Sequence, residues 1–262
     1  MLTLEDLPFE LLIHIHLLSL SHALPNVSRH LRSTFAATSP HHRARYLFLR
    51  HDHKPLSHAV KYPVCTLDVV HALERLARER GKKLKCSTLP RRLVKGLGKG
   101  SSKKDDDVDL PLITYLLDEY RVSPNSHDGY PLARAVFARH LPLVRLLLKY
   151  GADPALKDGW AVTTAIANGD ADLVKLLMER EVEREDEDGP LQEVVLPREG
   201  GKSSKKRRRD SGGGGGKRRR MDDRCKATKE MLETAVKAKQ WGIVDYLTAK
   251  GAPPSLNVLA ML

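Results

Sequence analysis

The amino-acid sequence predicts an all-α fold: a short N-terminal helical segment followed by an α-solenoid of stacked helix pairs. Three observations carry this expectation. Hydrophobic residues make up 41% of the 262 positions but aromatics only 5%. Leu and Ala therefore fill much of the apolar share, which suits packed helices better than a sandwich or barrel built from β-branched and aromatic strands. Second, the chain repeats itself. With Gly129 aligned on Gly159, Ala135 falls on Ala165, Val144 on Val174 and Leu147 on Leu177, and Ala235, Val244 and Leu247 keep the same internal offsets. Third, residues such as Leu143, Val144, Leu146, Leu147 and Leu148 make a helix face too wide for an isolated surface helix. Such a helix needs cover on both sides, which successive layers of a stack provide.

The elements follow in chain order. Residues 1–50 lie outside the repeat. Leu4, Leu7, Leu11, Leu12 and Ile15 recur at helical spacing, with Pro8 placed where a first turn tolerates it. A second run, Leu24, Val27, Leu31 and Phe35, continues that period. So small a segment buries little alone and needs a partner or a neighbouring domain. Residues 53–184 hold about four repeat units. The first has Pro55 to Ala59 as one helix and Val69, Val70, Leu73 and Leu76 on the next; the second has Leu112, Ile113, Leu116 and Leu117, with a partner near 89–97 displaced by a loop at 98–109. The clearest unit opens at Asp128-Gly129-Tyr130-Pro131-Leu132, buries Leu132, Ala135 and Val136, and closes at Gly151, where a left-handed residue is cheap only for glycine. Residues 227–262 form the last unit.

Residues 185–226 interrupt the array. They begin acidic, turn Gly/Ser/Lys/Arg-rich with five glycines at 212–216, and offer too little apolar surface to offset the entropy of ordering, so a disordered insertion is expected. Most of the basicity sits here. Between Arg198 and Arg224 twelve Lys/Arg face four Asp/Glu, which leaves a net of +4 of the total +12 on the other 235 residues. The folded part is therefore not expected to bind nucleic acid. The clusters Lys205-Lys206-Arg207-Arg208-Arg209 and Lys217-Arg218-Arg219-Arg220 resemble a bipartite nuclear localisation signal, which implies an importin partner. Attraction to phosphate and a merely solvated loop are the competing readings.

Two further resemblances carry the function. The repeat resembles the ankyrin repeat in its Asp-Gly opening, its Pro131-Leu132 step, its Val/Leu-rich second helix and its Gly151-Ala152-Asp153 close. Residues 127–180 match best, although Ala133 and Arg134 replace a family His and Trp160-Ala161-Val162 replaces Thr-Pro-Leu. The resemblance implies binding of a substrate protein through turns and first helices, nominating His127, Asp128, Tyr130, Arg134, Lys157, Asp158 and Trp160. Aromatic rings beside Arg have the composition of a binding hot spot, and Trp160 is open to either a core or a surface role. The N-terminus resembles an F-box in Leu7-Pro8-Phe9-Glu10-Leu11-Leu12-Ile13-His14-Ile15 and Val27-Ser28-Arg29-His30-Leu31. That implies docking of a Skp-type adaptor and a cullin ligase scaffold through Leu7, Pro8, Leu11, Leu12 and Ile15, with Val27 and Leu31 behind or beside them. The chain would be a non-catalytic substrate-recognition subunit of a ubiquitin ligase. The alternatives are a ligase-independent scaffold capped by these helices, nuclear or cytoplasmic in location, and a nucleic-acid-associated protein acting through the basic loop.

Other chemistry is not expected. Cys65, Cys86 and Cys225 are far apart with no C-x-x-C pair, His41-His42 and His51-x-His53 lack companion ligands, and no nucleophile elbow, P-loop or dinucleotide fingerprint occurs. No enzymatic activity, metal or cofactor is expected. Glu5 and Asp6 stand where a signal peptide would be basic, and no apolar run reaches the ~18–20 residues of a membrane span. These features lead to an expected location in the nucleus, the cytoplasm or both.

Overall fold

The computed structural model describes residues 4–97, 108–180 and 223–254. Among them there are fourteen α-helices, one short 3-10 turn at Leu4–Asp6 and no strand. The expected all-α solenoid is what the chain forms.

Helices α1 (Phe9–Ser19), α2 (Leu24–Val27) and α3 (Arg29–Ala36) make the N-terminal part. Pro8 leads into α1 from an extended conformation, and Leu20 ends it with a left-handed φ of 48°. The Ser28 hydroxyl accepts the Leu31 N–H at 3.2 Å and caps α3. Leu12, Leu31 and Phe35 enclose a small core of their own, flanked by Leu7 and Leu24. Helix α4 (Pro40–Arg50) starts at a Ser39 cap, with proline at its first position. It lies within the N-terminal segment by sequence, yet Ala44, Tyr46, Leu47 and Phe48 enter the large core shared by the repeats.

Five helix pairs follow: α5 (Pro55–Ala59) with α6 (Leu67–Glu79), α7 (Arg92–Lys95) with α8 (Leu110–Glu119), α9 (Ser126–Phe137) with α10 (Leu141–Lys149), α11 (Leu156–Ala167) with α12 (Ala171–Met178), and α13 (Lys229–Lys237) with α14 (Trp241–Ala249). Helix α4 lies along α6, and α7, α9, α11 and α13 pack in sequence. Helices as short as α5 and α7 do not persist in isolation; burial of Leu56, Ala59, Leu93 and Val94 holds them.

The recurrent alanines have a visible cause. In three units the first helix closes with the same backbone bond, into the carbonyl of Ala135, Ala165 or Ala235, from the N–H of His140, Asp170 or Gln240 at 3.0, 3.2 and 3.0 Å. The residue between is left-handed each time: Arg139, Gly169 and Lys239. All three alanines are fully buried, so a larger side chain there would force the layers apart. Each second helix then begins at the residue that donated this bond, capped by His140 Nδ1 on Leu143 N at 3.1 Å and by Asp170 on Leu173 N at 3.1 Å.

Polar links tie layer to layer. The hydroxyls of Tyr115 and Tyr120 both donate to the Glu74 carboxylate, at 2.7 and 2.6 Å; burial and this carboxylate hold both phenols well above their ordinary pKa. Arg92 donates to the carbonyls of Val60 and Cys65 at 2.6 and 2.8 Å. At the far end, Lys250 Nζ bridges Glu179 and Asp223, each at 3.0 Å, and Arg224 N–H donates to Met178 O at 2.7 Å. The two ends of the insertion are thereby pinned side by side. The nine basic residues of the tract, Lys205 to Arg209 and Lys217 to Arg220, and most of the 98–109 loop lie outside the described residues.

Candidate functional site

Two repeat-equivalent helix faces build a groove of about 520 Å³. On α9, Tyr130, Ala133, Arg134 and Phe137 occupy successive turns of one face; thirty residues on, Trp160, Thr163, Thr164 and Ala167 occupy the same positions of α11. Asn168 and Thr234 complete it. Both helices start with three left-handed residues: His127, Asp128 and Gly129 at φ of 58°, 58° and 77°, and Lys157, Asp158 and Gly159 at 52°, 55° and 73°. Regular helix begins only at Tyr130 and Trp160, which puts each aromatic ring at the mouth of a helix. The Thr163 and Thr164 hydroxyls donate back to the Trp160 carbonyl at 3.0 and 2.7 Å, so their polarity is already satisfied.

Each ring carries a cation. Arg91 Cζ lies 5.4 Å from the Tyr130 centroid, Arg134 Cζ 4.9 Å from Phe137, and Lys157 Nζ 5.7 Å from Trp160. Arg134 also donates to the Lys95 carbonyl at 3.4 Å, while its Nε is buried without a hydrogen-bond partner among the described residues. Phe137 and Trp160 are 49% and 43% exposed, far more than rings of their size need to be in a protein that can cover them.

Of the substrate-binding residues nominated by sequence, Tyr130, Arg134 and Trp160 line this groove, and the choice left open for Trp160 falls on the surface. Lys157 joins them through the Trp160 ring. His127, Asp128 and Asp158 stand in the preceding left-handed turns and do not line it. Sequence reasoning missed Phe137. Its signal was present: it lies seven residues after Tyr130 and three after Arg134, the spacing of one helix face.

A second surface lies on α1. Leu11 and Leu18, seven residues apart and hence on one side, are 50% and 82% exposed, with Ile15 half-buried between them, and Leu4 in the preceding 3-10 turn is 37% exposed. Phe9 and Val27 are exposed as well, at 42% and 68%. Here the structure corrects the sequence-based assignment. Leu12 and Leu31 are 1% and 0% exposed; they face each other in the small core and have no surface left for a partner. Val27 does not pack behind the α1 face but projects into solvent. Pro8 is exposed and Leu7 is half-buried beside the small core. Leu18 was missed because the sequence-based face ended at Ile15.

The three thiols are buried. Burial pushes Cys65 up to about 12 and raises Cys86 and Cys225 in the same direction, which leaves them protonated and poor nucleophiles at neutral pH. Among the described residues no cluster of three or more His, Cys, Asp or Glu has a metal-binding arrangement, and no helix is long and apolar enough to cross a membrane.

The geometry of paired helices, left-handed entry turns and identical closing bonds finds its counterpart in a known family. Residues 130–159 match the ankyrin repeat. The match begins at Tyr130, the first groove residue, and ends at Gly159, the glycine that opens the next unit. An ankyrin repeat is a protein–protein interaction module, typically non-catalytic, so the chain carries such a module at its best-formed unit. The N-terminal segment has no F-box match. No curated protein and no solved structure matches the chain.

Proposed function

We propose that the chain is a protein-interaction adaptor that joins a Skp-type adaptor, and through it a cullin ubiquitin ligase, to a substrate protein. The observation that carries the proposal is the separation of two exposed apolar surfaces: the Leu11-Leu18 stripe on α1, and the aromatic groove on α9 and α11 of the helix stack. Helix α1 buries Leu12 on one side and leaves leucines uncovered on the other, so it is apolar on two faces and has internal cover for one. The stripe supports the docking role that the Leu7-Pro8 and Val27-Ser28-Arg29 resemblance implies. The groove supports recognition of a second protein, since exposed Trp and Tyr beside Arg have the make-up of binding hot spots. The basic clusters at 205–209 and 217–220 extend the proposal to an importin partner and a nuclear fraction of the protein.

The test is co-purification of a Skp-type adaptor with the full chain. Leu11→Asp combined with Leu18→Asp changes two exposed positions, so helicity and Tm should hold within a few degrees while the adaptor is lost. A folded double variant that retains the adaptor would remove docking through α1, and failure of the unaltered chain to co-purify with the adaptor would remove the ligase part of the proposal. Leu12→Asp is the wrong probe, because it places a charge in the small core. A second reading, in which α1–α3 only cap the stack, is favoured by the packing of α1 on α4: the His16 ring lies against Tyr46 at 4.0 Å, and Leu17 and Leu20 pack against the core of the repeats. Retained adaptor binding would leave that reading standing.

A further inference from the structure

We propose that the groove on α9 and α11 takes an acidic segment of a partner protein, with its carboxylates against Arg134 and its apolar residues against Phe137 and Trp160. The inference rests on the reading of this groove as a docking surface and adds the chemistry of the occupant. Three features select that chemistry. The rings that line the groove are met by Arg91, Arg134 and Lys157, each within 6 Å of a centroid, while none of the groove-lining residues is a carboxylate. Among the described residues the cations therefore have no counter-ion lining the site. Arg134 is half-buried, holds one backbone carbonyl through a terminal nitrogen and leaves a buried Nε without an acceptor; an incoming carboxylate supplies that acceptor in the fork geometry that suits guanidinium. Between the charges, Ala133, Ala167 and the methyls of Thr163 and Thr164 give an apolar floor, because both threonine hydroxyls are turned to the Trp160 carbonyl.

This combination asks for acids interleaved with Leu or aromatic side chains. A purely acidic chain would leave the floor wet, and a purely apolar one would strand the Arg134 guanidinium away from water. Asp128 and Asp158 are exposed in the entry turns and screened by solvent, and they limit how far toward the turns the partner's acids extend. The charged groove between α10 and α12 makes a useful contrast: Arg145, Lys175 and Arg180 line it together with Asp170, Asp172 and Glu179, so charges of both signs share that site and it selects no ligand charge.

Of the two tryptophans in the chain, Trp241 is removed by Trp241→Phe, so that Trp160 alone reports on the groove. The full chain is titrated with a short peptide in which Glu and Asp alternate with Leu and Phe, with the same peptide bearing Gln and Asn at the acidic positions, and with a short oligodeoxythymidine. The acidic peptide should shift Trp160 fluorescence saturably, more weakly as salt rises, with affinity about tenfold lower in Arg134→Gln. Phe137→Ala should weaken the acidic and neutral peptides alike. Equal binding of the neutral peptide overturns the acidic assignment and leaves the docking groove intact. No response to either peptide overturns it too; the docking reading is then judged separately, by whether Phe137→Ala alters capture of the protein's partners. Tighter binding of the oligonucleotide overturns the protein assignment. A rise in peptide affinity on removal of residues 183–188 overturns the choice of a separate partner, in favour of the chain's own acidic stretch.

Discussion

A methyl group added to Gly159 would collide with the Met231 terminal methyl of the next repeat, whereas one added to Gly151 meets nothing within 4 Å. Both glycines have left-handed backbones, at φ of 73° and 84°, so both alanine variants bear the steric penalty of that region, about 1–2 kcal/mol. Met231 is fully buried, so the flexible end of its side chain can move aside only within the packed core. Gly159→Ala is therefore expected to be about 1–2 kcal/mol more destabilising than Gly151→Ala, by urea unfolding of each. Equal losses would mean that α11 and α13 do not meet at Gly159. Both glycines were legible in the sequence, as markers of the repeat. The exposure of single rings was not. Phe137 and Val136 are neighbours on the chain, one half exposed and one buried, and what separates them is the position of the adjacent helix, which no local pattern records.

Between elements, the joint of α1 with α4 is the point of greatest chemical tension. His16 sits among Phe35, Tyr46 and His42 at ring distances of 4.4, 4.0 and 5.9 Å, and neither of its nitrogens has a hydrogen-bond partner among the described residues. Burial, then the nearby His42 and Arg50, lowers its pKa from 6.5 to about 4. His42 is lowered in the same direction by burial and by Arg45, His41, Arg43 and His14. The folded state thus holds His16 neutral while the unfolded chain protonates it. The contribution to stability is fully present above pH 6.5 and is lost as pH falls toward 4, on the order of 2 kcal/mol once water at the pocket edge is allowed for. His16→Leu should flatten that dependence and stabilise the protein at pH 5; an unchanged slope between pH 7 and 5 would assign the loss to other groups. That α1 is a helix was readable from the spacing of Leu7, Leu11, Leu12 and Ile15, but not that His16 lies on its buried side with Leu12. That α4 leaves the N-terminal core for the solenoid was not, because an apolar face states that it is buried and not against which neighbour. The repeated helix pairs were more legible than the N-terminal joint, since repetition supplies the neighbour: Ala135, Ala165 and Ala235 predict one another's surroundings.

At the scale of the molecule, each helix-pair layer contacts chiefly the next, so stability accumulates layer by layer and tolerates an excursion wherever the excursion's ends stay together. Lys250 holds Glu179 and Asp223 at 3.0 Å each, and the Arg224 N–H reaches the Met178 carbonyl at 2.7 Å. These contacts are partly exposed and individually weak, but they fix the separation that any connection between α12 and α13 must span. If the 181–222 stretch contributes no structure, as its composition leads one to expect, its length acts on stability only through closure entropy, at about 0.6 kcal/mol per doubling. Replacing it with a Gly/Ser linker of about ten residues removes roughly two doublings and should stabilise the fold by about 1 kcal/mol, seen as a higher urea midpoint with an unchanged slope. The same variant lacks both basic clusters, so a nuclear fraction dependent on them should move to the cytoplasm. A marked loss of stability would show that the stretch packs on the stack. A stable variant that still enters the nucleus would remove importin recognition by these clusters, leaving the two docking surfaces untouched.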